Sequence, residues 1–254
     1  MVENLNYKKH GQKSSILVLH GGPGAIGSAA GIANILEDSI EVYSRGRSID
    51  DQCEEIQNII KYENIDRPII VGHSWGAYLA YIYAAKYDVE RIVMINAGAF
   101  DEKYLPLMSE RRRKVLTEEE QVRMQNHFKM LSEKGQIDDL DDFGKLASKM
   151  DSYENDRYED ELIAFDALGH SMLMKEFNTI RSDNTLLDMG KYIKCPIDII
   201  HGIEDPHPLE GIIEPFDRHN IKYNLHTIEK CGHTPWNEKY GRDKFIKILL
   251  DIVS

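Results

Sequence analysis

Ile69-Ile70-Val71-Gly72-His73-Ser74-Trp75-Gly76-Ala77-Tyr78-Leu79-Ala80-Tyr81-Ile82 is the stretch on which the reading of this chain turns. A short β-branched run meets a helix-like run, and the pentapeptide Gly72-His73-Ser74-Trp75-Gly76 joins them. G-x-S-x-G alone is frequent by chance, and an ordinary glycine-bounded turn with a surface serine accounts for it equally well. Between a strand and a helix the same five residues describe a nucleophile elbow. That turn is so tight that small residues must flank the serine, and its hydroxyl stands exposed above the sheet. The context favours the elbow.

Outward from the elbow, strand-like and helix-like segments alternate, the pattern of a mostly parallel sheet flanked by helices. Ile16-Leu17-Val18-Leu19 reads as a buried strand running into His20-Gly21-Gly22-Pro23-Gly24. A helical stretch follows over 28–37, a strand over 40–44, a helix over 51–62 with Ile56, Ile59 and Ile60 in register, and a strand over 91–96. One further strand is expected near Leu5 to Lys9. The alternation stops at Gly98 and resumes at Cys195-Pro196-Ile197-Asp198-Ile199-Ile200-His201. Between them no strand-like run appears. Thr117-Glu118-Glu119-Glu120 reads as a capping box, with Met124, Phe128 and Leu131 as the apolar stripe behind it and Gly135 as the stop. A second helical stretch is expected over 163–177, interrupted near Gly169. The predicted organisation is a core of residues 1–98 and 195–254 with a helical cap, 99–194, inserted into it.

The chain has 254 residues, 42% of them hydrophobic, and a net charge of −12. A sizeable core is available, and the acidic balance argues against nucleic acid or an anionic membrane as partner. Met1 to Lys13 lacks the apolar region of a secretory signal, and apolar runs stay far short of a membrane span. Three cysteines, Cys53, Cys195 and Cys231, form no C-x-x-C pattern, which suggests a reducing, cytoplasmic setting. Nothing in the sequence sets the oligomeric state.

A serine hydroxyl needs a base within reach and an acid to orient that base. On such a sheet the chain order is Ser, then Asp or Glu, then His. His201-Gly202-Ile203-Glu204-Asp205 closes an apolar strand in a carboxylate, and Cys231-Gly232-His233 follows the strand-like 223–228. Both lie past strand C-termini, where open α/β sheets collect their active-site groups. Asp205 is the favoured acid, with Glu204 and Glu229 as alternatives. His233 is the favoured base among ten histidines. Its rival is His207, adjacent to Asp205 but with no strand between them. His73 reads as a packing neighbour of the nucleophile. No histidine pair has zinc-ligand spacing, so no metal is expected, and triad chemistry needs no cofactor. The glycine-rich loop supplies the last part: backbone N–H groups must point at the developing oxyanion, and Gly22 and Trp75 are the expected donors, since Pro23 has no N–H. The loop matches neither phosphate-binding glycine pattern.

With these pieces assembled, the sequence resembles the α/β-hydrolase superfamily, and within it the proline iminopeptidase group. His20-Gly21-Gly22-Pro23-Gly24 matches that group's H-G-G-P-G motif, and Gly72-His73-Ser74-Trp75-Gly76 its G-x-S-W-G elbow. The likeness covers 15–98 and 195–252. It departs where the group carries D-Q-R-G-x-G-x-S, since this chain has Ser44-Arg45-Gly46-Arg47-Ser48, and in its shortened start before the first buried strand.

The resemblance implies an α/β-hydrolase fold and a serine hydrolase acting through an acyl-enzyme on a small-molecule or short peptide substrate: an ester, thioester or amide. An aminopeptidase would need a cap carboxylate facing the pocket, and 151–161 holds six acids, a pattern equally suited to a solvated face. An esterase would need an apolar pocket, and seven of the nine methionines fall in 99–194, where they serve a pocket or a core equally well. A receptor without turnover, or a carbon–carbon bond hydrolase or lyase on the same triad, remains open. A dehalogenase is disfavoured because its elbow carries a carboxylate. The substrate-binding residues of the cap are not legible in the sequence.

Overall fold

The computed structural model describes residues 6–12, 14–134, 137–157 and 163–254. In chain order its first half runs β1 (Tyr7–His10), β2 (Ile16–Leu19), β3 (Ala25–Ile26), α1 (Ala30–Leu36), β4 (Ser39–Val42), α2 (Ile49–Glu63), β5 (Ile69–His73), α3 (Trp75–Lys86) and β6 (Arg91–Ile95). The helices α4 (Leu105–Val115), α5 (Glu118–Lys134) and α6 (Leu140–Asp151) follow, then β7 (Ala164–Phe165), α7 (Ala167–Ser182) and α8 (Thr185–Asp188). The chain ends with β8 (Ile197–Gly202), α9 (Glu210–Arg218), β9 (Asn224–Ile228) and α10 (Arg242–Val253).

Seven strands form one sheet in the order β1-β4-β2-β5-β6-β8-β9. Only β1 is antiparallel to its neighbour; the other pairings are parallel. Because both faces are covered, the central strands read as continuous apolar runs rather than alternating ones. Successive residues still go to opposite layers. Leu17, Leu19, Ile70, Ile92, Met94 and Ile199 pack with α2, α3 and α9, while Val18, Val71, Val93, Ile95 and Ile200 pack with α1 and α10. This is the mostly parallel sheet that the alternation predicted and the α/β-hydrolase fold that the resemblance implied, with a single antiparallel strand at its start among the described residues.

The segment between β6 and β8 is mainly helical, and the capping box forms as expected: Thr117 N–H donates to Glu120 Oε2 at 2.8 Å, and Glu120 N–H to Thr117 Oγ1 at 3.3 Å. Met124 joins Leu116, Leu146 and Met150 in a small core of its own, but Phe128 stands exposed. Gly135 lies outside the described residues. The expected interruption of the later helix at Gly169 does not occur. The helix begins at Ala167, and the Asp166 carboxylate caps it by accepting the Gly169 N–H at 3.0 Å. Just before it, Ala164–Phe165 pairs antiparallel with Ala25–Ile26. That strand has no local signal, because its partner lies some 140 residues away in sequence. Among the described residues no helix is long and apolar enough to cross a membrane.

Gly72 and Gly76 set how closely α3 approaches the sheet. A β-carbon on Gly72 would overlap the Gly76 carbonyl, and one on Gly76 would overlap the carbonyl oxygens of Leu19 and His20. Since backbone rather than a flexible side chain stands in the way, Gly76→Ala should lower stability by about 3 kcal/mol. Urea denaturation of the variant against wild type measures this.

Candidate active site

Ser74 sits between β5 and α3 with φ +53° and ψ −110°, a left-handed backbone that a non-glycine residue adopts only under tertiary constraint. The turn lifts its side chain out of the sheet at the N-terminus of α3. Trp75 follows as the first helical residue and is anchored by its indole N–H, which donates to Gln52 Oε1 at 2.9 Å. Opposite lies the glycine-rich loop. Gly22 has φ +42° and accepts the Ala25 N–H at 2.9 Å, which closes a turn. Among the described residues the N–H groups of Gly22 and Trp75 meet no protein acceptor.

Asp205 and His233 come together as the sequence suggested. Each follows the C-terminal end of a neighbouring parallel strand, β8 and β9. His233 Nδ1–H donates to Asp205 Oδ2 at 2.8 Å, and both side chains are buried. Burial alone would raise the Asp205 pKa, but the two imidazoles against it hold the carboxyl well below its ordinary range. Burial alone would lower His233, yet the charge and hydrogen bond of Asp205 outweigh it and raise the imidazole above its usual value. Neither alternative acid reaches this ring. Glu204 accepts the Cys231 N–H at 3.2 Å, and Glu229 lies exposed. His73 packs against the site as expected: its Nε2–H donates to the His233 carbonyl at 2.9 Å, with ring centroids 4.7 Å apart. Burial holds His73 well below its usual pKa, so it stays neutral. No hydrogen bond joins Ser74 Oγ to His233 among the described residues, a looseness common in unliganded sites.

Sequence reasoning underrated His207. Its backbone N–H and its Nδ1–H both donate to Asp205 Oδ1 at 2.8 Å, and its ring stacks on His233 with centroids 4.4 Å apart. The acid therefore gives one oxygen to each imidazole. Burial drops His207 to about 4, so it is neutral near pH 7. Asp205, His207 and His233 lie close enough to chelate a cation, but both carboxylate oxygens already accept N–H donors from the two rings.

Two positioning residues had no sequence signal at all. Asn96, with φ +44°, accepts the Gly202 N–H and donates to the Gly232 carbonyl, both at 2.8 Å, and so ties the end of β8 to the loop that carries His233. Glu238 is fully buried and accepts three backbone N–H groups, from Gly232, Tyr153 and Glu154, each at 2.8 Å. His233 N–H also donates to the Asp151 carbonyl at 2.6 Å. The segment 151–156 is thereby laced to the loop that carries His233, as 163–170 is to the glycine-rich loop: Asp166 N–H donates to the Gly24 carbonyl at 3.1 Å, and His170 Nδ1–H to that of Pro23 at 3.1 Å.

A cavity of about 430 Å³ opens at Ser74, between the Gly22–Pro23 turn and helices α4 and α7. Met108 and Met174 line it, whereas Met124 and Met150 belong to the small core, so the methionines divide between the two uses foreseen for them. No carboxylate lines the cavity among the described residues. Asp151 pairs with both Nε and Nη2 of Arg112, Glu154 with Lys239, and Asp156 with Arg157; Glu159, Asp160 and Glu161 lie outside the described residues.

If His233 is the base and His207 its neighbour on the acid, His233→Ala should lower kcat by about 10³-fold. His207→Ala should cost no more than about tenfold, the equivalent of one hydrogen bond to Asp205. Steady-state hydrolysis of an activated aryl ester by the two variants checks the assignment.

The sequence profile of the alpha/beta hydrolase family matches residues 16–243. No curated protein sequence matches the chain. Among solved structures, an alpha/beta fold family hydrolase from Bacillus anthracis str. Sterne superposes with a TM-score of 0.69 at 17% identity, over 96% of this chain and 94% of its own. A proline iminopeptidase from Mycobacterium smegmatis gives 0.61 at 16%, over 97% and 93%. An enol-lactonase from Burkholderia xenovorans LB400 gives 0.58 at 17%, over 98% and 95%.

Proposed function

Because the chain belongs to the alpha/beta hydrolase family, we propose that it is a serine hydrolase that cleaves a small ester, thioester or amide through an acyl-enzyme. The observation that carries this reading is the conjunction of Ser74, held at φ +53° on the elbow, with the buried Asp205–His233 pair. In this reading Ser74 Oγ attacks the carbonyl carbon while His233 Nε2 takes its proton. Asp205 holds the Nδ1–H tautomer and stabilises the imidazolium. Gly22 and Trp75 N–H groups receive the oxyanion, each such donor being typically worth ~3 kcal/mol. His233 then returns the proton to the leaving group, and water repeats the sequence to free the acid and regenerate Ser74. Residues 99–194 serve as the cap whose helices α4 and α7 wall the substrate cavity.

Aminopeptidase specificity is not favoured. A free α-amine needs an unpaired acid in the cavity, and among the described residues the charged groups that line it are the guanidiniums of Arg112 and Arg181. Blocking the α-amine of an alanine or proline arylamide should therefore leave its turnover unchanged. A fluorophosphonate should add once, at Ser74, and mass spectrometry should find no adduct on Ser74→Ala.

The pH dependence follows from the buried pair. Only neutral His233 accepts the serine proton, and its pKa lies above the ordinary 6.5. On kcat/KM the acid limb should thus have its midpoint above 6.5, with activity lost as pH falls through it. Asp205→Asn removes the charge that raises it, so the midpoint should fall and kcat should drop by about 10⁴-fold.

A further inference from the structure

We propose that Arg181 anchors a carboxylate carried by the substrate, an inference that rests on the hydrolase reading of the same cavity. Arg181 lies in the last turn of α7 and lines the cavity that opens at Ser74. It is 9% exposed. Its Nη2 donates to Asn178 Oδ1 at 2.6 Å, a neutral acceptor, while its Nε is buried without a partner. No carboxylate pairs with this guanidinium among the described residues. A cation in such a place is costly unless an anion completes it, and the bidentate fork of arginine matches a carboxylate.

The contrast with Arg112 sharpens the point. Arg112 lines the same cavity, but Asp151 takes its fork in a bidentate pair. Among the described residues that line the cavity, Arg181 alone brings a charge with no carboxylate partner, and its surroundings fix where that charge stands. The guanidinium lies over the Phe177 ring, 5.1 Å from its centroid, and Phe177 packs edge-on against Trp75 at 5.5 Å. Tyr78 borders it from α3 and donates its hydroxyl to the Ala99 carbonyl at 2.9 Å. One aromatic ring thus separates Arg181 from the residue after the nucleophile. A small acyl group or leaving group that carries a carboxylate spans that interval; a single fork suits a planar monoanion better than a phosphate dianion.

Two pairs of aryl esters test this on the whole protein. One carries the carboxylate on the acyl side (4-nitrophenyl hydrogen adipate against 4-nitrophenyl hexanoate), the other on the leaving group (4-(hexanoyloxy)benzoate against phenyl hexanoate). In one of the pairs wild type should favour the anionic member in kcat/KM by about 100-fold, chiefly through KM. Arg181→Met should bring that pair to parity and leave the neutral ester within several-fold. Arg181→Lys, which keeps charge but loses the fork, should fall between. If Arg181→Met does not melt cooperatively, the lysine variant decides by the same selective loss. Absence of preference in both pairs, or a preference that survives substitution, overturns the proposal. Titrating adipate and benzoate into Ser74→Ala, read by tryptophan fluorescence, separates the two readings. Arg181-dependent binding without turnover of any ester would retain the carboxylate site and remove the hydrolase reading. Turnover of neutral esters without such binding would do the reverse.

Discussion

The contact between the start of α3 and the neighbouring strands governs this structure. Gly76 lies against the carbonyl oxygens of Leu19 and His20, at the end of the strand that leads into the glycine-rich loop. With that approach Gly22, Ser74 and Trp75 come to line one cavity, and the serine takes a left-handed backbone. Strain of this kind, costing of order 1–3 kcal/mol, persists only where surrounding packing holds it. Here the holding is extensive: Tyr81 and Tyr83 of α3 are fully buried, and the Trp75 indole is hydrogen-bonded to α2.

The second organising element is electrostatic. Asp205 is a buried carboxylate whose two oxygens are satisfied by different imidazoles, and this keeps it ionised in a site that would otherwise favour the acid. The two rings are not equivalent. The His233 imidazole is held above its usual pKa and that of His207 is pushed to about 4, so near pH 7 the second ring is neutral. Asn96 and Glu238 hold the loops that present them. Both are buried side chains whose hydrogen bonds go to backbone, so they position the site without adding charge to its cavity.

The helical segment between β6 and β8 contributes differently. It is laced to the loop that carries His233 through 151–156 and to the glycine-rich loop through 163–170, while α4 and α7 wall the cavity. The two motifs legible in the sequence, the glycine-rich loop and the elbow, lie in the sheet and its loops. The cavity charge comes from the helices, where those motifs do not reach. Likeness in the first therefore says little about the second.

The sequence by itself determined the parallel sheet, the elbow and the Ser74, Asp205 and His233 candidates. Those features rest on local patterns: buried strands are uninterrupted apolar runs, and a tight turn demands its glycines at set positions. It also determined the Thr117–Glu120 cap, where both partners sit within one turn. Only the tertiary structure decided what depends on residues distant in the chain. Ala164–Phe165 is a strand because Ala25–Ile26 lies beside it, and His207 reaches Asp205 because the loop after β8 folds back on itself. Glu238 is a keystone only once Tyr153 and Glu154 arrive from 85 and 84 residues away, and Arg181 lacks a carboxylate partner because no acid among the described residues comes to meet it. Local propensity acts over a few residues, whereas burial and charge compensation are fixed by whatever the completed fold brings together.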